Sequence, residues 1–361
     1  MPLSMLRGPR TGGVGLKFVH FSPERTSSIA LSKRSYSKEG FVKIRAGYDI
    51  AFQCPYAVPM VLMLTTHPSR DGDVLSDQTM HFSPGVQARD FFDPYGNICT
   101  RLVAPPGLLE VRSDFVVQDS GLPDEVCPTA QQWDVAALPG DVLPYLLASR
   151  YCDTEKLSNL AWSLFGGIKG GWQRAQAICD YAHDRIEFGY HHARGDRTAS
   201  EGHEERRGVC RDFAHLAVTL SRCMNIPARY CTGYLGDIGV PADPAPMDFS
   251  AWYEVFLDGR WFTLDARHNH PRIGRVVIAK GRDAADVAIS TAFGPAQLAR
   301  FKVITEELVQ QDQDNRILKA ASSRRQQIRA IVSLPRSRGE VLRLVVLYCA
   351  CSFHLQASPA Y

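Results

Sequence analysis

Apolar and polar positions alternate with a period of two from about residue 42 to residue 117. Ile44, Ala46, Tyr48, Ile50 and Phe52 alternate with Lys43, Arg45, Gly47, Asp49 and Ala51, the pattern of a strand with one buried face. Residues 58–64 form a second, more apolar segment, and its Pro59 places it at an edge or at a strand start. The turn set Asp93, Pro94, Tyr95, Gly96 and Asn97 introduces a strand over 98–103, and Pro105, Pro106 and Gly107 turn the chain into another over 108–117. The pattern predicts an N-terminal antiparallel β domain over 41–148.

Near Asp153, a predicted N-cap, the period changes to that of a helix. Leu157, Leu160, Ala161 and Leu164 share one face, and Gly166 closes the segment. A second helix carries Ala175, Ile178, Cys179 and Ala182 inward, and a short strand is expected over 186–190. Residues 191–207 are polar, charged and punctuated by glycine, which predicts a long surface loop with Glu204, Glu205, Arg206 and Arg207 solvated. A third helix follows Gly208 and Val209, with Phe213, Leu216, Ala217 and Leu220 on one face. After Asn225-Ile226-Pro227 come a strand over 228–235, a proline-rich loop and two apolar runs joined by Asp258-Gly259, a strong hairpin signal. A two-residue turn pairs Leu257 with Arg260, and extending that register places Trp252 opposite Asp265 and Ser250 opposite Arg267. Position 250 and Asp265 would then share a face as diagonal neighbours.

A length of 361 residues suggests about two domains. With 45% hydrophobic residues and a mean hydropathy of −0.17, the chain can build a core, which excludes disordered and collagen-like classes. The longest apolar candidate, residues 341–353, contains Arg343 and is too short to span a bilayer, so no membrane partner is expected. Ten scattered cysteines without a CxxC pair point to a reduced, cytoplasmic compartment. Net charges of +5 on residues 1–40 and +7 on 316–361, in a chain of +3, leave −9 on residues 41–315. The body is acidic, so nucleic acid is not an expected partner, and the basic flanks read as mobile extensions. His191, His192, His203, Cys210, His215, His268 and His270 are zinc-capable donors, but they show no recognised ligand spacing. No metal or other cofactor is therefore expected.

Cys210 falls at a helix start, where unpaired N–H groups and the helix dipole favour a thiolate. His215, five residues on, lies on another face of that helix and reads as a packed histidine, while Asp212 reads as a first-turn cap. Gly-Val-Cys-Arg-Asp-Phe-Ala-His over 208–215, Asn-Ile-Pro-Ala-Arg-Tyr over 225–230 with Gly-Tyr-Leu at 233–235, and the hairpin Ala-Trp-Tyr-Glu-Val-Phe-Leu-Asp-Gly-Arg-Trp-Phe-Thr-Leu-Asp over 251–265 resemble the transglutaminase-like superfamily. The resemblance covers roughly residues 150–295, and the β-rich region before it is similar to the one that accompanies this domain in bacterial members. It implies an α+β fold with a papain-like, transglutaminase-like core and a Cys-His-Asp site, in which Cys210 matches the nucleophile and Asp265 the acid that orients the histidine.

The family's histidine falls at Ser250, and a serine cannot take and return a proton near neutral pH. Three readings stay open. His268 or the nearby His270 substitutes, with His268 favoured only if the strand breaks after Asp265. Alternatively the site is a degenerate scaffold. In the third reading Cys210 works as a thiolate held by the helix end and by Arg211 or Arg267. The expected organisation is a basic extension over 1–40, the β-rich domain over 41–148, a transglutaminase-like domain over 149–304 and a basic tail over 305–361. The expected function is a thiol enzyme acting on amide bonds of a peptide or protein substrate, by hydrolysis or acyl transfer. The alternative is a catalytically degenerate module that binds a peptide or protein partner.

Overall fold

The alternation around Ile44 to Phe52 becomes the 13-residue strand β1 (Val42–Cys54) of a computed structural model that describes residues 40–308. Both basic extensions, apart from their innermost residues, and the apolar stretch 341–353 lie outside the described residues. Five further strands follow: β2 (Val58–Leu62), β3 (His81–Ser83), β4 (Ala88–Phe92), β5 (Ile98–Ala104) and β6 (Gly107–Asp119). β1 pairs antiparallel with β6 along nearly its whole length, and Ile44, Ala46, Tyr48, Ile50 and Phe52 are all buried. Pro59 is the second residue of β2, a strand-start position, where its missing N–H is tolerated.

Four helices and four short strands come next in chain order. They are α1 (Thr154–Phe165), α2 (Gly171–Arg185), β7 (Glu187–Phe188), α3 (Ala199–Glu205), β8 (Arg207–Gly208), α4 (Cys210–Cys223), β9 (Ala228–Leu235) and β10 (Ser250–Leu257). The chain ends its described part with β11 (Arg260–Leu264), β12 (Arg275–Gly281), β13 (Ser290–Ala292) and β14 (Gln297–Glu307). Gly166 is the C-cap of α1, and Ala175, Ile178, Cys179 and Ala182 of α2 are buried. Asp153 occupies the N-cap position of α1 as expected, but its side chain makes no cap bond: its carboxylate takes the backbone N–H and hydroxyl of Ser200 instead.

A four-stranded antiparallel sheet in the order β11-β10-β9-β12 packs against α4, which is buried along its length from Asp212 to Cys223. The Asp258-Gly259 turn closes the β10–β11 hairpin in the expected register, Leu257 opposite Arg260, with both turn residues at positive φ. Apolar side chains of α1, α2, α4 and the hairpin form one core cluster. A second cluster joins β1, β2 and β6 to Tyr230 and Tyr234 of β9 and to Val276 and Ile278 of β12, with Cys210 packed against it. The β-rich region and the helical region therefore share a wall, and Cys210 stands on it.

Two sequence boundaries shift. β13 pairs with β2, and β14 pairs with β1 from Ile44 to Gln53, so the chain returns to the N-terminal sheets after the transglutaminase-like segment. The boundary read at 304 falls inside β14. The loop expected over 191–207 contains α3, a helix opened by a capping box in which Thr198 and Glu201 each accept the other's backbone N–H. Glu205, expected in solvent, instead accepts from Arg194 and Arg197.

Candidate active site

Gly208, Val209 and Cys210 are placed by Asp212. Its Oδ2 accepts the Val209 N–H at 2.8 Å and the Arg197 Nη1–H at 2.9 Å, which locks the first turn of α4. A Cβ at position 208 would lie 2.6 Å from the Asp212 side chain, so glycine is required by close approach. Cys210 becomes the first helical residue, half-buried, close to Ala251 near the start of β10. The helix-start reading expected a depressed thiol pKa. Burial, with the Asp248 carboxylate next, pushes the Cys210 thiol up to about 11, and the Ala251 N–H and the Arg267 guanidinium offset this in part.

The hairpin ladder stops at Leu264, short of the Asp265 and Arg267 pairs that the extended register assumed. β11 ends at Leu264, so Asp265 does not pair with Trp252, nor Arg267 with Ser250; Ser250 pairs with Gly233 on β9. Asp265 instead opens a tight turn. Its Oδ1 accepts the backbone N–H groups of Arg267 at 3.0 Å and His268 at 3.1 Å, and its backbone carbonyl accepts from Asn269 at 2.7 Å. The turn carries His268 back so that its Nδ1 meets Asp265 Oδ2 at 2.9 Å. α2 braces it from behind: Asp180 accepts from Gln176 and Asn269, and His183 meets the Ala266 carbonyl at 3.0 Å. Trp252, placed opposite Asp265 by the extended register, is instead buried opposite Cys231 of β9, under the Arg275 guanidinium.

Sequence reasoning missed the other partner of Asp265. Arg275, buried in β12, donates to Asp265 Oδ2 at 2.9 Å and also to both oxygens of Asp124, at 3.0 and 2.9 Å. Arg275 and the His268 contacts hold the Asp265 carboxyl far below the usual carboxylate range despite its burial. His268 stays below the ordinary imidazole pKa, since burial and the cations Arg267 and Arg272 outweigh Asp265. At neutral pH the pair is thus a carboxylate and a neutral imidazole. With Nδ1–H given to Asp265, the lone pair at His268 Nε2 accepts from Arg267 Nη1, whose guanidinium lies 3.9 Å from the Phe188 ring centroid.

Cys210, Ser250, Arg267, His268 and Asp248 line one narrow cleft of about 50 Å³. His270 turns its Nδ1 to the His268 backbone carbonyl. Arg211 donates to the backbone carbonyls of Arg194 and Gly195, which leaves Arg267 as the arginine that bears on the thiol. His215 is fully buried, stacked on Tyr151 and tilted against Tyr230, with Nε2 accepting the Ala284 N–H at 3.1 Å, a packed residue as its helix face implied. Among the described residues no three or more His, Cys, Asp or Glu side chains gather as a metal site, and no helix is long and apolar enough to cross a membrane.

The comparisons with known proteins bear on this geometry. Residues 158–266 match the model of the transglutaminase-like superfamily. The crystal structure of a candidate cysteine protease from Cytophaga hutchinsonii is 30% identical, with a TM-score of 0.63, and the alignment covers 74% of this chain and 91% of that one. The chain belongs to the transglutaminase-like superfamily. An uncharacterized protein of Mycobacterium tuberculosis is 28% identical over 216 residues, which is 54% of this chain and 68% of that protein. One of Mycobacterium leprae is 35% identical over 85 residues, 23% of this chain and 30% of that protein. As a transglutaminase-like chain, it carries a thiol-enzyme-type module in an α+β fold.

Arg267 is the cation beside both the thiol and the imidazole, so its removal has a signed effect on each. Arg267→Gln is expected to raise the Cys210 pKa further and to slow iodoacetamide labelling of Cys210 at pH 8.5, read by mass spectrometry against the other cysteines. An unchanged rate would show that Arg267 does not bear on the thiol.

Proposed function

We propose that this chain is a cysteine-dependent amide hydrolase or acyltransferase in which His268, in place of the residue at 250, is the proton carrier and Asp265 its orienting acid. The observation that carries the reading is the 2.9 Å contact of His268 Nδ1 with Asp265, made by a histidine that lines the same cleft as the Cys210 thiol. His268 Nε2 exchanges its Arg267 donor for the Cys210 thiol proton as the sulfur attacks the substrate carbonyl. The imidazolium then protonates the leaving nitrogen, the C–N bond breaks, and an acyl-Cys210 thioester remains. Water or an amine loses a proton to His268, attacks the thioester, and returns the acyl group as an acid or a new amide while the proton goes back to sulfur. Resting thiol and imidazole are both neutral, so the proton moves during attack rather than beforehand.

The test is turnover of two probes by the full chain: release of fluorescein peptides from labelled casein for hydrolysis, and incorporation of dansylcadaverine into dimethylcasein for amine transfer. Activity with either that is lost in Cys210→Ala supports the reading. The acid limb of kcat/KM should fall below pH 6.5, because His268 must be neutral and burial lowers its pKa. No turnover with either probe, together with retained binding of casein, would favour a binding module instead.

A further inference from the structure

A second cavity, of about 250 Å³, meets the first at Cys210. Its walls are Ile50 and Phe52 of β1, Leu64, Phe249, and Leu298 and Phe301 of β14. Cys210, Asp248, Phe249 and Ser250 line both spaces, so the thiol stands where a polar cleft holding His268 becomes an apolar one built largely by the N-terminal sheet. Leu298 and Phe301 are 53% and 41% exposed, large apolar side chains left open beside a candidate nucleophile. Phe301 is held in place by an edge-to-face contact with Phe249, ring centroids 5.8 Å apart.

We infer that this cavity binds an apolar group on the acyl half of the substrate, next to the carbonyl that Cys210 attacks. The inference rests on the proposed acyl-transfer reading and extends it to substrate class. In that reaction the leaving nitrogen must lie within reach of His268, so it occupies the polar cleft. The acyl part then extends to the other side of the sulfur, where Ile50, Phe52, Leu64, Leu298 and Phe301 stand. The volume is below the ~300–1,000 Å³ of sites that enclose a drug-sized ligand, which suits one leucine- or phenylalanine-sized side chain. The return of β14 to β1 thereby has a role: it carries Leu298 and Phe301 to the thiol.

The experiment compares N-acetyl-phenylalaninamide and N-acetyl-glycinamide as ligands of the full chain by saturation-transfer NMR, with the same chain also assayed on the casein probes. The phenylalanine ligand is expected to bind about tenfold or more tightly, as burial of one large apolar side chain implies. Leu298→Asp and Phe301→Asp, both at exposed positions of one strand, should each remove that preference. Equal binding of the two ligands would overturn the inference, as would a preference that survives both substitutions in folded protein. Preference without turnover leaves the site standing and removes the enzyme reading. Turnover without preference does the reverse.

Discussion

His268→Ala is expected to lower kcat/KM on whichever casein probe the chain turns over by about 10²–10⁴-fold, the range for loss of a positioned acid–base group. Folding should be little affected, because the turn that holds His268 is made by the Asp265 carboxylate with backbone N–H groups and is braced by Asp180. Asp265→Asn should cost a similar factor for a different reason. An amide nitrogen facing His268 Nδ1 would move the ring proton to Nε2, where a lone pair is needed, and Arg275 would lose an acceptor. Ser250→Ala is expected to change kcat/KM less than about threefold, a serine having no proton-carrying role near neutral pH. Ser250→His in the wild-type background should gain nothing, because Asp265 Oδ2 is already shared by His268 and Arg275. Full activity in His268→Ala would remove His268 from the reaction, and loss in Ser250→Ala would give Ser250 a part in it.

The difference between the two positions explains how far the site was legible in the chain. The Cys210 helix and the Asp258-Gly259 hairpin are written in local periodicity and turn chemistry, and both stand where the sequence places them. The hairpin rule could give register but not length, since strand ends depend on what competes for the backbone. At Asp265 the competitor is its own carboxylate, which captures the Arg267 and His268 N–H groups and ends the ladder. Asp-Ala-Arg-His is in that sense a local motif, an aspartate that caps a turn and receives the histidine three residues on. Arg275 and Asp124 left no such trace. They meet through 151 residues of intervening separation, and no periodicity reports a buried ion pair between a linker and a strand. The α3 helix was legible: Thr198-x-x-Glu201 is a capping-box spacing, masked by the charged and glycine-rich residues around it.

Asp212→Ala is expected to destabilise the folded chain by about 3–5 kcal/mol, far more than the ~1 kcal/mol of an ordinary helix cap. The first-turn position and its favourable place at the helix dipole account for the smaller figure. The larger one comes from Arg197, which is 3% exposed and donates Nη1 to Asp212 Oδ2 at 2.9 Å. Removing the carboxylate leaves a buried guanidinium whose remaining acceptors are Glu205 and the His192 carbonyl, and it frees the Val209 N–H. Truncating one partner of a buried pair is costly because the other charge stays behind, whereas replacing both with apolar side chains of similar volume is often neutral. Arg197→Met combined with Asp212→Leu should therefore recover part of the loss seen in Asp212→Ala, as read by urea unfolding. Because Asp212 also fixes Gly208 to Cys210, the recovered double variant should still label Cys210 with altered kinetics, which separates the stability of α4 from the placement of its first residue. A loss near 1 kcal/mol in the single variant would mean that Glu205 alone compensates Arg197 and that Asp212 acts as a cap.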